Sequence, residues 1–244
     1  MRTPMHGSEF SRNMDRLDGG ETSPYEPQIR SLPENNFSKD DLENVNKPAT
    51  TTIGLATDEG VVMATDMRAS LGGRFVSNKN VQKVEQIHPN AALTMAGSVG
   101  GAQSFIQTMR IESNLYETRR GEHMSMQALS TLAGNLLRGG PFFIVSPILG
   151  GLDEEGHHVY SIDPAGGVMS DDYTVTGSGM QLAYGVLEQE YTDGLSNEEG
   201  KQIAAHGIKS AVERDTGSGD GVFLAEITEE GVEIQGHKDF DDVL

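Results

Sequence analysis

Three consecutive threonines, Thr50, Thr51 and Thr52, stand where a polar leader gives way to alternating apolar sequence. A threonine hydroxyl is a weak nucleophile until a neighbouring base takes its proton. A chain cut between Ala49 and Thr50 would supply that base itself: the freed α-amine, with a pKa of roughly 7.7–8.0, is partly neutral near pH 7. While Ala49 remains attached, the same nitrogen is an amide and has no basic lone pair. On this reading only Thr50 needs its hydroxyl for chemistry, and Thr51 and Thr52 begin the strand that holds it. Threonine also favours strands, so the run equally fits an ordinary edge strand.

Other chemistries lack their residues. The 244-residue chain has no cysteine, which excludes disulfides, thiol nucleophiles and Cys-based metal sites. P-loop, dinucleotide and His-Glu-x-x-His signatures are absent, as is the Gly-x-Ser-x-Gly elbow, so neither a metal nor an organic cofactor is expected. The glycine-rich Gly217–Gly221 stretch lacks the strand-then-helix setting of a phosphate cradle. His157 and His158, in a hairpin beside Asp153, Glu154 and Glu155, read as surface decoration.

Charge narrows the partners. With 18 basic and 37 acidic residues the formal net charge is −19. Such a surface repels nucleic acid and anionic membranes, so neither is an expected partner. The acids are dispersed, which reads as a solvated surface adapted to a salt-rich cytoplasm rather than a cation site. Halophilic origin is therefore a hypothesis, tested by far-UV CD against KCl; full folding in low salt would count against it. No apolar run approaches the ~18 residues of a membrane span. The N-terminus lacks the apolar core of a secretory signal, leaving the cytoplasm as the expected compartment.

These residues need a scaffold to bring them together. Residues 1–49 hold Pro4, Pro24, Pro27, Pro33 and Pro48 among polar residues without period, and read as a disordered leader. The sequon at Asn36–Ser38 is accidental without an export signal. From Thr50 onward, two apolar runs flanking Asp58–Gly60 predict a hairpin, and residues 74–87 and 91–97 predict further strands. Val99, Ala102, Phe105, Ile106, Met109 and Tyr116 recur at helical spacing, as do Met126, Leu129, Leu132, Ala133 and Leu136. Strands are expected at 142–153, 157–164 and 172–179, then helices through Leu182–Leu187 and Ile203–Val212, then two closing strands. This order argues α+β: two antiparallel sheets face to face, with a helix pair outside each, in one domain over 50–244.

The block from Thr50 to Ser70 resembles the start of mature proteasome β subunits of the archaeal type. The resemblance continues through "NVQKVEQI", "TMAGSVGGAQ", "ILGGLD", "YSIDPAGG", "TGSGMQLAYGVLE" and "ERDTGSGDG", and covers essentially all of residues 50–244. It implies an N-terminal-nucleophile hydrolase, a four-layer αββα sandwich and a subunit of a barrel-shaped threonine protease that cuts unfolded proteins. Carried over by position, Thr50 is the nucleophile exposed by autocatalytic loss of residues 1–49. Asp66 matches the family's acidic residue and Lys83 its lysine; an ammonium beside the hydroxyl favours the alkoxide, and the carboxylate orients the ammonium. Taken without the flanking match, Asp66 and Lys83 would be an incidental surface pair worth about 0–1 kcal/mol.

Gly97 falls where the family's backbone N–H receives the oxyanion. Ser178, Asp215 and Ser218 match residues that orient the amine and a bound water, although Gly, Ser and Asp also dominate turns. By position Ala69, Met95 and Val99 line the pocket for the residue before the scissile bond and Ser70 binds substrate backbone, which favours cleavage after large hydrophobic residues. Ala49 stands where the family most often has glycine, and the alignment takes one extra residue between Asp66 and Lys83. Implied partners are α-type subunits in outer rings, other β subunits in seven-membered rings, and an ATPase regulatory particle. Two alternatives remain: the two-ring, unfoldase-partnered peptidase of bacterial type, and a non-catalytic ring subunit with an assembly role only.

Overall fold

The computed structural model describes residues 49–244, apart from 72, 73, 140, 141 and 143. The leader through residue 48, with its sequon, lies outside the described residues. Period-two patterning sets the sheets. The first comprises β1 (Thr51–Ala56), β2 (Val61–Asp66), β10 (Tyr173–Gly177), β11 (Val222–Thr228) and β12 (Gly231–His237), in spatial order β10-β1-β2-β11-β12. The second comprises β5 (Val84–His88), β6 (Ala91–Thr94), β7 (Ile148–Asp153), β8 (Gly156–Ile162) and β9 (Val168–Ser170), in chain order. Neighbouring strands pair antiparallel throughout both sheets. A short hairpin, β3 (Ala69–Leu71) with β4 (Phe75–Asn78), stands apart.

Alternation along β2 shows how the layers form. Val61 and Met63 join Ala92, Ile148, Val159 and Ala225 between the sheets. Val62 and Ala64, with Ile53 and Leu55 of β1, face α3 (Met180–Glu190) and α4 (Asn197–Val212) through Ala183, Leu187, Ala204 and Ile208. On the outer face of the second sheet, α1 (Val99–Arg120) and α2 (Met126–Gly139) bury Phe105, Met109, Leu129 and Ala133 against Leu93, Leu149 and Ile162. The result is the four-layer αββα sandwich expected from the element order. Local sequence fixes the helix ends: Ser98 caps α1, Gly121 at φ 74° stops it, and Ser196 with Glu199 forms a capping box on α4.

Four expectations need correction. Residue 142 and residues 144–147 are not strand; β7 starts at Ile148, and Val145 makes only an isolated bridge to Gly97. Residues 74–87 split into β4 and β5 with an irregular stretch between them. Val99, expected in the apolar stripe of its helix, is 51% exposed because it begins α1 at the mouth of a cleft. His157 is exposed and His158 half-buried, as a surface hairpin implies, but both are hydrogen-bonded rather than idle. His157 Nδ1 bonds Thr57 O at 2.8 Å, joining the two sheets, and His158 Nε2 bonds Asp153 Oδ1 at 2.9 Å. Burial alone would raise the Asp153 carboxyl, but the N–H groups of Met126 and Glu155 and the His158 ring together hold it below the usual range.

Candidate active site

The threonine run enters the first sheet as β1, which is not an edge strand: β10 pairs on one side and β2 on the other. All three threonines are buried, and each hydroxyl has a partner of its own. Thr52 Oγ1 lies 2.8 Å from Thr176 Oγ1 and accepts from Thr94 Oγ1 at 3.2 Å, while Thr176 Oγ1 donates to Ser146 O at 3.0 Å. This polar chain ties the ends of the two sheets together directly beneath Thr50. Thr51 points to the opposite face, where Oγ1 lies 2.8 Å from Ser218 Oγ. Thr51 and Thr52 therefore do more than begin a strand. The Thr52 hydroxyl joins strands of the two sheets and the Thr51 hydroxyl joins the Asp215–Gly221 loop, roles that triplet composition alone did not disclose.

Asp66 ends β2, beside the start of β1, and Lys83 immediately precedes β5 on the facing sheet. Lys83 Nζ donates to Thr50 Oγ1 at 2.7 Å and to Asp66 Oδ1 at 2.7 Å. The pair is far from an incidental surface contact, since Asp66 is 0% and Lys83 4% exposed. Asp66 also accepts from the N–H of Thr51 at 3.1 Å, Arg68 at 3.0 Å and Gly219 at 2.9 Å. Burial pushes the Asp66 carboxyl up, opposed by Lys83 and by the N–H groups of Thr51 and Gly219. Burial likewise lowers Lys83, with the Asp66 carboxylate opposing it. An ammonium that loses its proton more easily than a free lysine thus touches the Thr50 hydroxyl.

A second chain of bonds reaches the Thr50 nitrogen. Thr50 N donates to Ser178 Oγ at 3.1 Å, and Ser178 Oγ donates to Asp215 Oδ2 at 2.6 Å. Ser218 Oγ donates to the same Asp215 oxygen at 2.6 Å. Ser178 N donates to Thr50 O at 2.7 Å, fixing the residue from its carbonyl side as well. Ser178 follows β10, and Asp215 and Ser218 lie in the loop from α4 to β11, so two separate segments are linked to this one nitrogen through Ser178.

Thr50 opens onto a cleft of about 320 Å³, lined also by Ala49, Lys83, Gly97 and all four expected pocket residues, Ala69, Ser70, Met95 and Val99. Ser70 Oγ is buried without a hydrogen-bond partner among the described residues. Gly97, at φ 135°, sits so close to Ile144 that any Cβ would overlap its carbonyl oxygen, and only glycine adopts this backbone freely. The neighbouring Ser98 N–H and Ala96 carbonyl pair with Ile144 and Ser146, and the Gly97 N–H itself meets no acceptor among the described residues. An unengaged N–H lining the cleft onto which Thr50 opens could receive a developing negative charge.

Sequence reading overlooked Arg68, which also lines the cleft. Its charge is engaged elsewhere: Nε donates to Asp220 Oδ2 at 2.8 Å, leaving the pocket floor without a free charge from this residue. Its place two residues beyond Asp66 was the only available signal. Among the described residues no group of His, Cys, Asp or Glu could hold a metal ion, and no helix is long and apolar enough to cross a membrane.

Comparison with known proteins identifies the family. A family model described as "Proteasome subunit" matches residues 46–227. The chain is 72% identical over 244 residues to proteasome subunit beta 1 of Haloterrigena turkmenica, covering 100% of both chains. It is 70% identical to proteasome subunit beta of Natrialba magadii and 61% identical to that of Halobacterium salinarum, again over the full length of each.

Proposed function

The chain belongs to the proteasome subunit family as a β subunit and threonine peptidase of haloarchaeal type, and on that premise we propose that Thr50 is its nucleophile. Residues 1–49 are the propeptide, and cutting Ala49–Thr50 frees the α-amine that serves as base. The observation that carries the reading is Lys83 Nζ at 2.7 Å from both Thr50 Oγ1 and Asp66 Oδ1 in a buried setting.

In each turnover the Thr50 hydroxyl gives its proton to its own amine while Oγ1 bonds the scissile carbonyl carbon. The Lys83 ammonium stabilises charge developing on Oγ1, and the Gly97 N–H receives the carbonyl oxygen as it becomes an oxyanion; such donors typically contribute about 10²–10³ in rate. The tetrahedral centre collapses, the C–N bond breaks, and the leaving amine takes the proton from the Thr50 ammonium. Water then attacks the Thr50 ester by the same proton route in reverse. Ser178 and Asp215 hold the amine, and Ser218 holds Asp215 with a bound water.

Ala69, Met95 and Val99 offer an apolar wall to the residue before the cut, so large hydrophobic residues are the preferred substrates, with Ser70 bonding substrate backbone. The subunit works in the cytoplasm in seven-membered β rings, capped by α-type rings and fed unfolded chains by an ATPase. Thr50→Ala in the assembled particle should abolish peptidase activity, and the active subunit should begin Thr-Thr-Thr-Ile on N-terminal sequencing. Activity from Thr50→Ala particles, or from chains that keep the leader, would overturn the assignment.

A further inference from the structure

The loop from Asp215 to Gly221 supplies bonds to both sides of the site, and it contains an unusual backbone. Asp220 has φ 69°, which makes it the one non-glycine residue in the left-handed region among the described residues. Aspartate tolerates this region better than most residues, but it is still uncommon and calls for outside support. Arg68 gives that support. Its Nε donates to Asp220 Oδ2 at 2.8 Å, its Nη1 donates to Thr216 O at 3.2 Å, and Lys79 Nζ stands 3.9 Å from the other carboxylate oxygen. The guanidinium lies over Gly219, where a Cβ would collide with it.

That same Gly219 donates its N–H to Asp66 Oδ2 at 2.9 Å and accepts from Met67 N at 3.0 Å. Arg68 N also donates to Asp66 Oδ2, at 3.0 Å. Arg68 therefore holds the Asp66 carboxylate with its main chain and grips the loop with its side chain. One residue before Gly219, Ser218 bonds Asp215 and Thr51. If the grip is lost, the loop can relax at Asp220, and the Gly219 and Ser218 contacts loosen together.

We propose that the Arg68–Asp220 ion pair is a clasp that positions Asp66 and Ser218 at once, making both of its members positioning residues for the hydrolysis assigned above to Thr50. The inference rests on that assignment. Ala69, Ser70 and Met95 lie outside the clasped loop, so opening the clasp slows the chemistry and leaves the walls of the substrate cleft in place.

The test measures kcat and KM for a fluorogenic peptide on assembled particles carrying Asp220→Asn, Asp220→Gly, Arg68→Lys, or Arg68→Lys with Asp220→Asn. Each single change should lower kcat by about 10–100-fold, the range seen when supporting contacts shift a reacting group. KM should stay within about two-fold, since Arg68, although it lines the cleft, has its charge turned to Asp220. The double variant should fall no further than the weaker single one, because a clasp can be opened only once.

Asp220→Gly separates positioning from folding: glycine accepts the left-handed backbone without strain, so a wild-type kcat in this variant overturns the clasp. Losses that multiply in the double variant overturn it too. So does a raised KM with unchanged kcat, which would make Arg68 a substrate contact. Asp220→Asn keeps both shape and left-handed tolerance, so it gives a folded variant even where Arg68→Lys does not assemble. Thr50→Ala particles run alongside: if they remain active the Thr50 assignment fails, whereas dead Thr50→Ala particles beside wild-type clasp variants sink the clasp alone.

Discussion

Asp66 and Lys83 are partners, but the structure makes their removal unequal. Asp66 accepts from Lys83 Nζ, Thr51 N, Arg68 N and Gly219 N, at 2.7, 3.1, 3.0 and 2.9 Å. Asp66→Ala strands three N–H groups, each at roughly 1–3 kcal/mol when left buried and unpaired, and leaves an ammonium whose lone burial costs about 3–5 kcal/mol. Water entry and loss of the Lys83 proton relieve part of this, so the net cost should be on the order of 4 kcal/mol. Lys83→Met removes one donor of the four and the Lys83 charge and leaves the Asp66 carboxylate without its counter-ion, but that carboxyl can take up a proton, and the methionine side chain fills the same space. Asp66 keeps its three N–H bonds, and the loss should be about 1–2 kcal/mol.

Urea unfolding of the full chain at one fixed KCl concentration reads the difference as about 1 M between midpoints. The gap also has a pH sign. In Asp66→Ala the unpaired Lys83 has a folded pKa further below that of the unfolded chain, so the unfolded state binds more protons and stability rises with pH. The gap therefore narrows as pH rises toward the ordinary lysine range. A Lys83→Met chain as unstable as Asp66→Ala, or a gap that widens with pH, would refute the view that the main-chain donors carry Asp66.

Lys83→Arg keeps a cation that cannot give up its proton, so it should retain partial peptidase activity when Thr50 is freed by a separate protease but should not remove its own leader. Intact mass of the assembled subunit checks this, and leader loss at the wild-type rate would refute it. Gly217→Ala should stall leader removal, because the new Cβ would overlap both Cβ and Cα of Ala49; mass spectrometry of the particle would detect a retained leader. In the processed enzyme kcat should rise as the Thr50 amine loses its proton, near pH 7.7–8.0 by its roughly typical value, and fall as Lys83 deprotonates. Burial lowers Lys83 despite Asp66 and Asp215, with Arg68 adding to the lowering, so the alkaline limb should lie below the free-lysine range; a limb at or above that range would contradict it.

The layered fold was legible because its signals are local. Val61 to Ala64 alternate with the pleat, and Phe105, Met109, Leu129 and Ala133 follow the helical period, so each element announces which face it buries. Contacts that depend on which loops meet were not legible. Nothing in the spacing of Arg68 and Asp220, which lie 152 positions apart, marks them as an ion pair. The same holds for Thr51 and Ser218, 167 positions apart, whose hydroxyls meet only because β1 and the Asp215–Gly221 loop share one end of the sandwich. The short strands β3 and β9, three residues each, fall below the length at which alternation can be read. Thr50, Asp66 and Lys83 were found through their flanking motifs, and it is the fold that turns three scattered side chains into a buried contact.

The described chain still carries Ala49, and this bears on how the enzyme stays silent. Lys83 already touches Thr50 Oγ1, Ser178 already receives the Thr50 N–H, and Asp66 already has its full set of donors. On the proposed mechanism the geometry is therefore in place before the cut, and what the uncut chain lacks is the base, since its nitrogen is an amide. Silence by chemistry rather than by disorder has a consequence for the first cleavage: some other group must take the Thr50 proton when Oγ1 attacks the Ala49 carbonyl. In its neutral form Lys83 is the group in contact with that hydroxyl, and burial makes the form more accessible than in a free lysine. The buried lysine thus has two assignments at different times. In the mechanism proposed here it accepts the proton once as a neutral amine, to release the leader, and steadies Oγ1 as an ammonium in every later turnover.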